Sequence, residues 1–385
     1  MTAGKRFCLS LALGVLTGTT CLLILEGGIR FDDWLKSGTR RAAPQDLPLL
    51  QENPEGTGSY RLRPNLDLET RVGTDPIHIE TNAYGMAWRK TSLKGPPGQA
   101  RVAFLGDSFT FGCWARDAAR GFVGVFEKSL PAGEFEALNF GVGGYGLLDE
   151  ELILKELALQ FGPSYVVVVS YMGNDFRDTW LGLHKENIVE GTARLDPEVL
   201  KARVPAAYLT PDDRIPLPCE RSGWRRFAQR SAAFSRLAPL LDLEELCVKF
   251  RPNRSFVQPA FWSSVPAPRV ALQARDAVTD TLSRMESLSS EHHARLAVVA
   301  LPTAAQVYAQ EPFGGNYDTA LPQAYLQSFC RERDIPYLDL LPLLRQQAAA
   351  SNKRLYLNRD IHLTEFGHAR VGELIAAWFQ SKVRR

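Results

Sequence analysis

An excess of charge is the first thing this chain lacks. Its 45 Lys and Arg face 43 Asp and Glu, a formal net charge of +2, which removes the electrostatic case for a nucleic-acid partner. Cysteine is scarce and unpatterned: of six, Cys8 and Cys21 sit in or beside an apolar run, and Cys113, Cys219, Cys247 and Cys330 show no metal-ligand spacing. Cys113 has no histidine near it in sequence and reads as a packing residue. Cys219 and Cys247 flank one segment, where a disulfide in an oxidising compartment and a pair of buried thiols both remain open. Long apolar runs are also missing, with one exception near the N-terminus. The stretch Leu147 to Leu159 is not another, because Asp149, Glu150, Glu151, Lys155 and Glu156 interrupt it as they would a core helix.

The exception follows Lys5 and Arg6: Phe7 to Leu25 is nineteen uncharged residues, just enough to span a bilayer as a helix. The basic pair favours an N-terminus in the cytoplasm and the remainder outside, a bias weakened by Arg30, Lys36, Arg40 and Arg41. No small-x-small cleavage site follows, and Gly18-Thr19-Thr20 before Cys21 makes a poor lipoprotein box. An uncleaved single-pass membrane anchor over 1–28 with a periplasmic catalytic domain is expected, and a buried N-terminal helix is the alternative.

What is present is an alternating pattern. With 385 residues, 45% apolar and 23% charged, the chain can bury one substantial α/β core and carry an accessory segment. Residues 29–100 are rich in Pro, Gly and charge and read as a linker leading to an edge hairpin near Ile77 to Thr81. From Arg101 unbroken apolar strands alternate with helices: Val102 to Leu105, Ala137 to Phe140, Tyr165 to Ser170, and later Leu296 to Leu301 and Ile335 to Asp339. Strands of that kind between helices imply a parallel sheet covered on both faces. The rhythm lapses over 181–269, an insertion or cap that divides the domain into 101–180 and 270–385. The insertion carries Tyr208, Trp224, Phe227, Phe234, Phe256, Phe261 and Trp262, rings suited to sugars, to acyl chains or to packing a small core of its own.

Four short segments fall at expected strand ends, where open α/β sheets bind ligands: Gly106-Asp107-Ser108, Asn139 to Gly146, Gly173-Asn174-Asp175 and Asp360-Ile361-His362. Acyl transfer needs a nucleophile, a base, a group that orients the base, and donors for the oxyanion. Ser108 would attack, His362 would take its proton, and Asp360 would hold the imidazole tautomer. Gly144 lets a backbone N–H approach closely, and the Asn174 amide supplies a second donor. Asp107 and Asp175 read as loop ties, His368 as a structural residue of the closing helix, and His184, His292 and His293 as surface histidines.

These blocks resemble the SGNH (GDSL) hydrolase superfamily, in which serine, glycine, asparagine and histidine occur in that chain order. The resemblance covers about Arg101 to Trp180 and Arg295 to Gln380. It implies a three-layer α/β/α, flavodoxin-like fold with a parallel sheet, no cofactor, and an oxyanion hole of the Ser108 N–H, Gly144 and Asn174. One departure stands out: Arg359 occupies the position three before His362, where an aspartate is common, and Asp360 lies two before. That shorter spacing resembles branches that include polysaccharide O-acetyltransferases as well as esterases. The layout of anchor, Asn82-Ala83-Tyr84-Gly85 and Gly106 to Gly112 is similar to bacterial membrane-anchored esterase-like members.

Three classes follow as expectations. The leading one is a serine esterase acting on an O-acyl ester of an extracytoplasmic glycan, lipid or small molecule. The second is a cell-envelope O-acyltransferase, which needs a multi-spanning partner to deliver its acyl donor. The third is a non-catalytic envelope binding protein using the same cleft.

Overall fold

The computed structural model describes residues 49–53, 60–72, 75–182, 269–308, 318, 320–357 and 361–384, all within one compact unit. The expected anchor at 1–28, the Cys219 and Cys247 pair, nearly all of the 181–269 insertion and Asp360 lie outside the described residues. Among those described, no helix is long and apolar enough to cross a membrane.

The strands are β1 (Leu50–Glu52), β2 (Tyr60–Leu62), β3 (Asp67–Val72), β4 (Asp75–Glu80), β5 (Ala100–Gly106), β6 (Phe135–Asn139), β7 (Tyr165–Tyr171), β8 (Arg295–Leu301) and β9 (Tyr337–Asp339). The helices are α1 (Ser108–Phe111), α2 (Phe122–Lys128), α3 (Leu147–Glu156), α4 (Asp175–Gly182), α5 (Arg269–Glu291), α6 (Ala304–Tyr308), α7 (Leu321–Glu332), α8 (Leu341–Ala350) and α9 (Glu365–Trp378).

The central sheet has five strands in the order β6-β5-β7-β8-β9, every pairing parallel, which is the flavodoxin-like order 2-1-3-4-5. Its strands are apolar on both faces because both faces are covered. Val102 to Leu105, Val166 to Val168 and Ala297 to Leu301 have no exposed surface, so the alternation of a half-solvated strand is absent. Helices α2 and α9 pack together, as do α3, α4 and α5. Gly372 on α9 permits the first contact: a Cβ there would lie 2.6 Å from the Phe122 carbonyl oxygen.

The stretch before β5 is more than linker. It forms the antiparallel pairs β1-β2 and β3-β4, the second where the sequence reads as a hairpin near Ile77 to Thr81, and among the described residues neither joins the central sheet. After them Met86, Ala87 and Trp88 are buried against the core. The following loop is tied to the sheet by Arg101, whose guanidinium donates to Glu136 of β6 at 2.7 Å and to the carbonyls of Leu93, Ser92 and Phe161. A buried ion pair persists only when its remaining donors are satisfied in this way.

Candidate active site

Three loops leave adjacent strands at the C-terminal edge of the sheet. The one after β5 is the sharpest. Asp107 caps α1, its Oδ1 accepting the Phe109 N–H at 2.9 Å and its carbonyl accepting the Phe111 N–H at 2.9 Å. Ser108 is thereby the first helical residue, half-buried, with its own N–H unbonded among the described residues.

His362 approaches from the segment before α9. Its carbonyl accepts the Leu357 N–H at 3.0 Å, Tyr356 bridges Leu363, and Thr364 caps α9 through the Gly367 N–H at 3.0 Å. So held, His362 Nε2 lies 2.7 Å from Ser108 Oγ. The ring packs on Phe109 with centroids 4.8 Å apart. Ser108 and His362, 254 residues apart in the chain, are brought into contact.

The loop after β6 carries the glycines. Asn139 shapes it, accepting the Gly141 N–H at 2.9 Å and donating to the Thr110 carbonyl at 2.9 Å. Gly143 faces the nucleophile, since a Cβ there would lie 3.8 Å from Ser108 Cβ. Gly144 has φ +82°, a conformation glycine adopts without strain, and its N–H has no acceptor among the described residues. Asn174 follows β7 and donates one amide N–H to Asp178 Oδ2 at 2.7 Å.

The residues 104–370 match the model of the GDSL-like lipase/acylhydrolase family. The chain belongs to that family. It is accordingly an ester hydrolase of the SGNH type. Solved structures similar to it include a two-domain esterase active on acetylated mannans (13% identity, 75% of this chain and 51% of that one, TM-score 0.40). An acetyl xylan esterase has 13% identity over 74% of this chain and 99% of its own, at TM-score 0.39. A catalytic mutant of an acetylxylan esterase from Geobacillus stearothermophilus has 12% identity over 74% and 95%, also at TM-score 0.39. No curated protein matches the sequence.

Two features of this family member were not read from its sequence. Trp114 has φ +67°, unusual for a bulky side chain, and its indole N–H points at His362 Nδ1 from 3.2 Å. Indole nitrogen only donates, so this contact by itself favours the proton on Nε2, the opposite of the tautomer a general base needs. The Trp114 loop is itself held by His368, as its reading as a structural residue implied. His368 is fully buried, with Nε2 3.1 Å from the Cys113 carbonyl and Nδ1 accepting the Phe122 N–H at 3.3 Å. Burial lowers its pKa to about 4, so it holds both bonds as a neutral ring.

The second feature is a group of buried carboxyls around Asp107. Asp107 and Asp175 do tie their loops, the latter through the Tyr171 N–H at 2.8 Å, and Asp175 leaves one oxygen without a partner among the described residues. Glu150 on α3 leaves both. Burial raises the pKa of all three, to about 7 for Asp107, where the Phe109 N–H and nearby His362 oppose the rise. A folded-state pKa above the unfolded value contributes stability present at low pH and lost as pH rises through the folded value. Glu150→Gln removes one such group. The stability difference between variant and wild type is therefore expected to move in favour of the variant as pH rises from 5 toward 9. The limit is about 1.4 kcal/mol per pH unit while Glu150 titrates in the wild type. Urea unfolding at several pH values measures it, and parallel pH profiles for the two proteins would refute a raised Glu150 pKa.

Proposed function

We propose that the protein cleaves carboxylic O-acyl esters on an extracytoplasmic glycan or lipid, with Ser108 as nucleophile, His362 as base and Asp360 as the group that orients it. The observation that carries the reading is the 2.7 Å contact between Ser108 Oγ and His362 Nε2 at the C-terminal edge of the sheet. Ser108 Oγ attacks the acyl carbon while His362 Nε2 takes the hydroxyl proton. The carbonyl oxygen becomes an oxyanion, received by the Ser108 and Gly144 N–H groups with the Asn174 amide as the further donor. His362 then returns the proton to the leaving alkoxide. Water, deprotonated by the same nitrogen, attacks the acyl-serine and releases the carboxylic acid. An N-terminal anchor from 1–28 would hold this chemistry at the outer face of the membrane.

The full-length protein assayed on short-chain nitrophenyl esters, with a fluorophosphonate probe, tests the reading. Turnover and labelling are expected in the wild type and both are expected to vanish in Ser108→Ala. A wild type that labels but turns over only when a sugar acceptor is added would move the assignment to acyl transfer. A folded wild type that neither labels nor turns over would leave the binding-protein reading.

A further inference from the structure

Tyr60 reaches the site from β2, outside the residues 104–370 that match the family. Its hydroxyl donates to the Gly143 carbonyl at 2.9 Å. That carbonyl and the Gly144 N–H belong to one trans peptide plane, in which C=O and N–H point in opposite directions. Fixing the first therefore aims the second. Glycine flanks this plane on both sides, so little else in the local backbone resists its rotation.

We infer that Tyr60 is a positioning residue for ester cleavage, holding the Gly143 carbonyl so that the Gly144 N–H is aimed as an oxyanion donor. The inference rests on the reading of Gly144 given above. It does not rest on the hydroxyl alone. A Cβ on Gly144 would lie 2.8 Å from the Tyr60 hydroxyl oxygen, so the side chain fills the space that glycine leaves open. The loop grips Tyr60 in return, because the Tyr145 hydroxyl donates to the Tyr60 carbonyl and the two rings meet edge to face with centroids 5.4 Å apart. The strand is anchored independently: Arg61 pairs with Glu156 of α3 at 2.5 Å, Asn53 donates to the same carboxylate at 2.8 Å, and Leu62 is buried. Burial, with Asp149 nearby, raises the pKa of the Tyr60 hydroxyl, which keeps it a donor at any working pH.

Tyr60→Phe in the full-length chain is the test, since it keeps the ring and removes only the hydroxyl. Deleting an oxyanion donor costs about 10²–10³ in kcat, and a donor left in place but no longer aimed is expected to cost about 10- to 100-fold. That fall should appear in kcat with KM changed less than about twofold, and in the rate of fluorophosphonate labelling per reactive serine. The melting temperature should stay within a few degrees. Wild-type kcat and labelling rate in Tyr60→Phe, beside an inactive Ser108→Ala, would overturn the inference and leave ester hydrolysis standing. A loss confined to the fraction of serine that titrates, with a normal rate for the remainder, would also overturn it, because it marks misfolding. Full activity in Ser108→Ala would remove the serine mechanism itself and the role of Tyr60 with it.

Discussion

His362→Gln is expected to lower kcat by about 10⁴-fold or more while KM changes only severalfold, measured on a nitrophenyl ester with the full-length protein. Glutamine can still hydrogen-bond Ser108 but cannot carry a proton away from it, so the loss falls on the transition state. The fold should survive the change. The segment is secured through backbone, by the Leu357 N–H on the His362 carbonyl and by the bridge between Tyr356 and Leu363, and neither contact uses the imidazole. The activity left over measures what the proposed N–H donors at Ser108 and Gly144 contribute without a base. Loss of kcat by less than tenfold would mean that another group takes the serine proton.

Asp360→Asn is expected to cost about 10³–10⁴ in kcat with little change in KM or stability. The reasoning starts from Trp114, whose N–H on His362 Nδ1 favours the proton on Nε2. General-base catalysis needs the opposite tautomer, with Nε2 bare and Nδ1 protonated. A carboxylate that accepts from Nδ1–H pulls the ring to that tautomer; an amide, able to donate, leaves it with the indole. Trp114→Phe provides the converse, removing the competing donor. Its kcat should hold or rise by up to about tenfold, the worth of one net hydrogen bond. If Asp360→Asn retained wild-type kcat, orientation of the imidazole would have to come from elsewhere.

The sheet was legible because its strands are continuous apolar runs, and Val166-Val167-Val168-Val169 can only be a strand buried on both faces. Ser108 and His362 could be singled out because short motifs mark the ends of those strands, and the fold brings the two together. What escaped were elements without a pattern of their own. Helix α1 is four residues long and arises from the Asp107 cap, and α8, at Leu341–Ala350, was not singled out. Tyr60 and Trp114 left no trace because each acts on a partner far along the chain, 83 residues away for Gly143 and 248 for His362. The β3-β4 pair falls where Ile77-His78-Ile79 alternates and the sequence reads as a hairpin, whereas β1-β2 was hidden because its strands are three residues each, too short to carry an alternation.

Helices α4 and α5 pack against each other, yet α4 ends at Gly182 and α5 begins at Arg269. The two helices that bracket residues 183–268 thus both belong to the packed scaffold that carries Ser108. Doubling the length of a flexible connection between fixed ends costs only about 0.6 kcal/mol in closure entropy. A change in the number of residues between these two helices therefore costs the sheet that carries Ser108 little.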